Sequence, residues 1–142
     1  MRISKYNAEG YFDPTAYEAL MRIANEGRPE PPPYRPLVYI SIPFTADVSG
    51  NTKRALRYCK FAVEQGAIPI APHLFYPRFM DIRDKEQRSL ALLFSLVLLR
   101  KCDALWWFGD QVTEGMAREF RAALRRDMRI KHFNDNLEEV HL

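Results

Sequence analysis

The segment Phe-Gly-Asp-Gln-Val-Thr-Glu-Gly-Met-Ala-Arg-Glu, residues 108–119, carries the richest set of side chains for chemistry. An apolar run ends at Phe108, Gly109 turns the chain, and a helix is expected to open at Thr113 or its neighbour. Free backbone N–H groups at such a start suit an anion, most often phosphate. Gly115 lets a ligand approach the backbone, and Thr113 offers a hydroxyl as a cap or to a phosphate oxygen. Glu119 lies one turn further in. Its carboxylate can reach back toward the strand ends, because helix side chains lean toward the N-terminus. The plain alternative makes Thr113 a cap only and Glu119 a solvated surface group. Glu114 opposes a phosphate here, since it sets a negative charge beside the anion site. Asp110 follows the apolar run and is a candidate site acid, whereas Asp103 precedes it and is read as structural.

Two other places deserve the same reading. Ser41-Ile-Pro-Phe44 is not the G-x-G-x-x-G of an ordinary dinucleotide fold. Asn51 is either the cap of the next helix, the default, or a substrate ligand. Pro72-His73 follows a second apolar run, and a lone histidine is more often a structural hydrogen-bonder than a catalyst. Asp81 and Asp84 are read as exposed loop charges. Arg118, Arg121, Arg125, Arg126, Arg129 and Lys131 are read as a solvated face. No second His, Cys or carboxylate stands at metal spacing, so no metal site and no cofactor are expected. Cys59 and Cys102 read as small core residues.

The elements that must position these groups follow from periodicity. Short apolar, β-branched runs at 37–42, 67–71, 103–108 and 129–133 predict strands. Steps of three and four predict helices over 52–65, 85–101 and 114–127. Ala55, Tyr58, Cys59, Ala62 and Val63 form the inner face of the first; Met116, Phe120, Ala123 and Leu124 form that of the last. Pro69 inside the second strand points to a sheet edge. Alternating strands and helices imply βαβ units. The expected fold is an α/β, flavodoxin/Rossmann-like doubly wound parallel sheet of about four to five strands, with an N-terminal helical arm. Ligands in such sheets sit beyond the carboxyl ends of the strands, where Ser41, Gly109 and His73 fall.

The arm and its connector are residues 1–36. Asp13-Pro14 is a helix start, with the helix running to about residue 26 and stopping at Gly27. Residues 28–36 hold five prolines in nine positions and read as a stiff, extended connector. The α/β domain is 37–133, and 134–142 is an acidic, loose tail. The chain has 142 residues with 47% hydrophobic and 27% charged, as a single globular domain does. A net charge of +3 is too balanced to mark a nucleic-acid protein. Two cysteines give no disulfide framework and suit a reducing cytoplasm. The longest apolar run, 90–99, is too short for a bilayer, which needs about 20 residues. No membrane or nucleic-acid partner is therefore expected.

Tyr39-Ile-Ser-Ile-Pro-Phe44, Pro72-His73, Cys102-Asp103, Phe108-Gly-Asp and Thr113-Glu-Gly-Met-Ala-Arg-Glu119 together resemble the nucleoside 2-deoxyribosyltransferase-like superfamily. The resemblance spans about 37–133 and is nearer to its DUF4406 branch, common in phages and mobile elements of Gram-positive bacteria. It implies a small-molecule nucleoside or nucleotide partner and a homo-oligomer, dimer or higher, whose sites are often completed across the interface. It implies Glu119 as the nucleophile at the anomeric carbon. That role suits an oxocarbenium-like transition state, which a carboxylate stabilises and then captures. Asp110 or a loop acid would help supply the leaving base's proton. Ser41, Pro43, Phe44, Asn51, His73, Gly109, Thr113, Gly115 and Met116 would contact substrate. In nucleotide-cleaving relatives the positions matching Thr113 and Gly115 lie by the phosphate. Two positions depart from the pattern. Ile42-Pro43 replaces the usual glycine-proline pair, and Thr113 stands where transferases carry an aspartate, which points toward the phosphate-holding relatives. A binding protein for a nucleotide or nucleotide signal is the alternative. A third reading is an assembly protein that uses the arm and Trp106/Trp107.

Overall fold

A computed structural model describes residues 14–27, 33–44 and 47–141. The chain divides into one unit ending at Tyr34 and another beginning at Arg35. In the first, helix α1 spans Pro14–Asn25 and buries none of its residues. Its proline sits where a missing N–H is harmless, and Gly27 follows its end at φ +57°. The expected cap Asp13 and the connector residues 28–32 lie outside the described residues.

The second unit alternates strands and helices: β1 Leu37–Ser41, α2 Val48–Glu64, β2 Ile68–Ile70, α3 Lys85–Arg100, β3 Ala104–Phe108, α4 Glu114–Leu124, β4 Arg129–Phe133 and β5 Glu139–Val140. Two short 3-10 turns, Pro72–Leu74 and Tyr76–Arg78, fill the connection before α3. The sheet order is β2-β1-β3-β4-β5. The first four strands are parallel, and β5 runs antiparallel to β4. This is the flavodoxin-like doubly wound order with its switch point between β1 and β3. Pro69 is tolerated because β2 is an edge strand.

Alternation along the central strands divides the core in two. Val38, Ile40, Ile42, Trp106, Phe108 and Phe133 pack under Ala55, Tyr58 and Ala62 of α2. Tyr39, Leu105 and Trp107 pack on the other face with Leu99 of α3 and Ala123 and Phe120 of α4. β1 and β3 are therefore covered on both sides, which is why they read as unbroken apolar runs. Trp106 is buried in the first cluster, and Trp107 lies 5.6 Å from Phe120 in the second, so both serve the core rather than an outer surface.

Several local expectations are corrected. α2 starts at Val48, not residue 52, because Asp47 caps it and accepts from the Gly50 N–H at 3.0 Å. Asn51 is therefore a first-turn residue and not the cap. It is buried and accepts from Arg54 Nη2 at 2.7 Å. Val63 and Leu124, expected inside, are 47% and 63% exposed. The tail is not loose over its described part. Asn134 Oδ1 accepts from the N–H groups of Asn136 and Glu138 at 2.9 and 3.0 Å, turning the chain back into β5. Asp103 is structural: it accepts from the Leu37 N–H at 2.8 Å, tying the amino ends of β1 and β3.

The α2 cap gives a test. A Cβ on Gly50 would lie 2.1 Å from Asp47 Oδ2. Gly50→Ala gains roughly 1 kcal/mol of helix propensity but displaces a cap worth about 1 kcal/mol. It should be close to neutral in the wild type and stabilising by about 1 kcal/mol in an Asp47→Ala background, as urea unfolding of the four combinations would show.

Candidate functional site

Beyond the carboxyl ends of β1 and β3 lies a cavity of about 270 Å³. Its wall is Pro43, Arg54, Tyr58, Phe108, Gly109, Asp110, Gln111 and Asp135. Tyr58 and Phe108 stack at 4.2 Å and form an aromatic floor. Arg54, Gln111, Asp110 and Asp135 supply polar groups above it. A floor with a few convergent polar groups is the make-up of a small-molecule site, although the volume falls just short of the usual lower limit of about 300 Å³. A larger concavity of about 440 Å³, beside Arg100, Cys102 and Arg126, lies at the opposite, amino edge of the sheet.

Gly109 forms the hinge of the cavity. Its φ of +95° is open to glycine and strained for other residues. Its N–H donates to the Phe133 carbonyl at 3.0 Å. Its carbonyl meets Nε2 of His132, whose ring lies flat on Trp107 with 3.4 Å between centroids. The turn is thus held at its N–H and its carbonyl by two neighbouring residues of β4.

Glu119 occupies a different place. It is 3% exposed, and its Oε1 accepts from the Ser41 hydroxyl at 3.3 Å. Ser41 closes β1 and shares the side of Tyr39, so the carboxyl group lies on the α3/α4 face while the cavity opens on the α2 side. Glu119 is not in the cavity wall. Its Oε2 and the Tyr39 hydroxyl are both buried without a partner in hydrogen-bond geometry, yet the two groups act on each other. Burial pushes the Glu119 carboxyl up to about 7, and the Tyr39 and Ser41 hydroxyls draw it part of the way back. Burial, and then the charge of Glu119, holds the Tyr39 phenol well above its ordinary range.

The other sequence candidates separate in the same way. Pro43, Gly109 and Asp110 line the cavity. Thr113 caps α4 and accepts from the Met116 N–H at 3.3 Å, and Met116 is buried in the core at 1% exposure. A Cβ on Gly115 would meet Thr113 Oγ1 at 3.9 Å, an ordinary contact, so the glycine is not forced by packing. Phe44 lies against His73 with 5.5 Å between ring centroids. His73 keeps part of its surface in solvent, but its Nε2 is enclosed and unpartnered, and burial lowers its pKa to about 4. Burial also raises both thiols, Cys59 and Cys102, to about 11, where they are unreactive. Ile42, of the Ile42-Pro43 pair, is packed beneath α2.

Arg54, Tyr58, Gln111 and Asp135 line the cavity but were not among the sequence's site candidates; Tyr58 read as an inner helix face. Asp135 follows the carboxyl end of β4, so the same edge rule would have found it had 134–142 not been read as a tail. Arg54 and Tyr58 stand four residues apart on α2, a spacing that puts both on one face. Among the described residues, no three His, Cys, Asp or Glu side chains could hold a metal ion. No described helix is long and apolar enough to cross a membrane.

The chain is an α/β domain of the doubly wound class with a cavity at the carboxyl edge of its sheet. Residues 36–133, more than half of the chain, match the family model DUF7768, described as a domain of unknown function, and the chain belongs to that family. The match is to DUF7768 and not to DUF4406, the branch the sequence resembles. No curated protein matches. Among solved structures, the chain is similar to the 2-deoxyribosyltransferase of the psychrotolerant bacterium Bacillus psychrosaccharolyticus, described as a biocatalyst for synthesis of antiviral and antitumoral nucleosides. The TM-score is 0.58 at 17% identity, covering 74% of this chain and 77% of that one. At that identity the likeness establishes the fold.

Glu119 and His73 have opposite linkage to pH. The folded state holds the Glu119 proton between about 4.5 and 7, where the unfolded chain has lost it, so this group's contribution to stability falls as pH rises. The folded state keeps His73 neutral between about 6.5 and 4, where the unfolded chain is charged, so its contribution rises with pH. The two cancel over the shared window, about 4.5 to 6.5. Relative to wild type, Glu119→Gln should gain stability as pH rises through that window, and His73→Leu should lose it. Each change should be on the order of 3 kcal/mol. Urea unfolding at several pH values checks both signs.

Proposed function

We propose that the chain is a cytoplasmic enzyme that cleaves the N-glycosidic bond of a nucleoside or nucleotide, of deoxyribosyltransferase or nucleotide N-hydrolase type. The observation that carries this reading is the Glu119 carboxyl group, drawn out of water beside Ser41 at the carboxyl edge of β1. The likeness of the fold to a 2-deoxyribosyltransferase supports it. The ionised Glu119 attacks the anomeric carbon, the C–N bond breaks, and the bonding pair leaves on the base nitrogen, which takes a proton from Asp110. Water or a second base, giving its proton to the Asp110 carboxylate, then attacks the anomeric carbon of the glycosyl ester, and the bond to Glu119 breaks to return its carboxylate. Pro43, Gly109, Arg54 and the Tyr58–Phe108 floor would hold the ligand in the cavity. Thr113 and Gly115, at the start of α4, would lie by a phosphate. For attack, the enclosed carboxyl group must open toward the bound sugar.

A second reading is binding without cleavage. It is favoured by one observation: Glu119 is enclosed and lies outside the cavity wall. Incubation with a panel of nucleosides and nucleoside monophosphates, followed by chromatography of free bases, decides between the two. The enzymatic reading expects base release that Glu119→Gln reduces by at least about a thousandfold. It also expects the rate to rise with pH through about 7, since only the ionised carboxylate attacks. Calorimetric binding with intact ligand recovered and no free base selects the binding protein.

A further inference from the structure

α3 is apolar on both of its sides. Its buried residues are Ala91, Ser95 and Leu99. On its outer side Leu90, Leu93, Phe94 and Val97 are exposed at 44%, 51%, 37% and 40%. The sequence holds no charged residue between Arg88 and Arg100. A surface helix carries polar residues on its outer face, and one that is apolar all round is a buried helix. The spacing i, i+3, i+4, i+7 joins these side chains into a stripe, which scattered surface leucines do not form. Aromatic rings widen the patch: Tyr76 lies 5.8 Å from Phe94 and 5.9 Å from Phe79, which is itself 68% exposed.

We propose that this face joins two copies of the chain, α3 packing antiparallel on α3 about a two-fold axis. The charges at the ends of the stripe select that occupant. At 100° per residue, Glu86 at the amino end and Arg100 and Lys101 at the carboxyl end extend the line of Leu90, Leu93, Phe94 and Val97, and all three are exposed. Lys85 and Arg88 fall outside it. The stripe reads alike from either end: Glu86 lies four residues before Leu90, and Lys101 four residues after Val97. Setting Leu93 opposite the partner's Phe94 therefore sets Leu90 opposite the partner's Val97 and Glu86 opposite the partner's Lys101. The symmetry makes each of these contacts twice. A parallel pair would instead oppose Glu86 to Glu86 and Lys101 to Lys101. Antiparallel packing also opposes the helix dipoles favourably.

Sedimentation of the full chain across a concentration series tests this. Wild type should run at twice the 16.6 kDa chain mass. Leu93→Glu should run as a monomer with an unchanged far-ultraviolet spectrum and a melt that no longer depends on concentration. Glu86→Lys and Lys101→Glu should each weaken the dimer by about tenfold, and the double swap should restore it. Because the swaps lie on the surface, they report even if Leu93→Glu fails to fold. A wild-type monomer at ~100 µM, within the affinity range of weak interfaces, overturns the proposal. So does a dimer that survives Leu93→Glu, or a double swap no better than the singles. Loss of the dimer in Leu20→Glu/Ile23→Glu, with the α3 variants unaffected, would assign association to α1 and overturn it too.

Discussion

One carboxyl group taken out of water constrains the whole upper half of this domain. An ionised carboxylate in an apolar core is prohibitively costly without partners, so it protonates or finds donors. Glu119 does both in part: one oxygen accepts from Ser41, the other has no partner, and its pKa is pushed up to about 7. Everything around it is fitted to that compromise. Ser41, where an apolar residue would extend the run of β1, supplies the donor. Ser95 on α3 bonds the Ala91 carbonyl at 2.9 Å and keeps that helix face small. Tyr39 brings a hydroxyl into the same layer. A chain selected for stability alone would fill this volume with apolar atoms. The retained acid is what turns a packing question into a functional one.

The alternation of β1 and β3 then decides what that acid can reach. Odd and even residues of β1 belong to different layers, so Ser41 and Ile42 look to opposite helices. The aromatic floor of the cavity comes from the α2 layer and the carboxyl group from the α4 layer. Only the loops beyond the strand ends adjoin both, and Gly109 opens the one that follows β3. Its turn is clamped by Phe133 and His132, which argues against large motion there. The first turn of α4 is held by the Thr113 cap at 3.3 Å, by the Glu114–Arg118 pair at 3.1 Å and by the buried Met116.

Much of this architecture was legible from residue pattern. The apolar runs at β1 and β3 announced strands. Pro69 announced an edge, and the three βα alternations announced a parallel sheet. Three things were not legible. Asp47 caps α2 only because Gly50 leaves room for its carboxylate, a contact between side chain and backbone that no period encodes. The β5 return depends on Asn134 gathering two N–H groups, and its acidic composition read as solvated chain. The division of the candidate site between two layers depends on register across the sheet, whereas proximity in sequence put Thr113, Met116 and Glu119 together with Gly109 and Asp110.

α3 raises the same question from the outside. Its inner residues are small because Tyr39, Leu105 and the α4 side chains already fill the space above the sheet. That requirement accounts for Ala91 and Ser95, but it places no demand on the outer face. Helix propensity would be served as well there by lysine or glutamate, which also keep a helix soluble. Instead the chain sets leucine, phenylalanine and valine on that face and confines charge to the two ends, negative at one and positive at the other. Interior packing explains half of α3. The other half would be explained by a surface that covers it, and a second copy of a helix whose end charges are complementary in reverse would supply that surface.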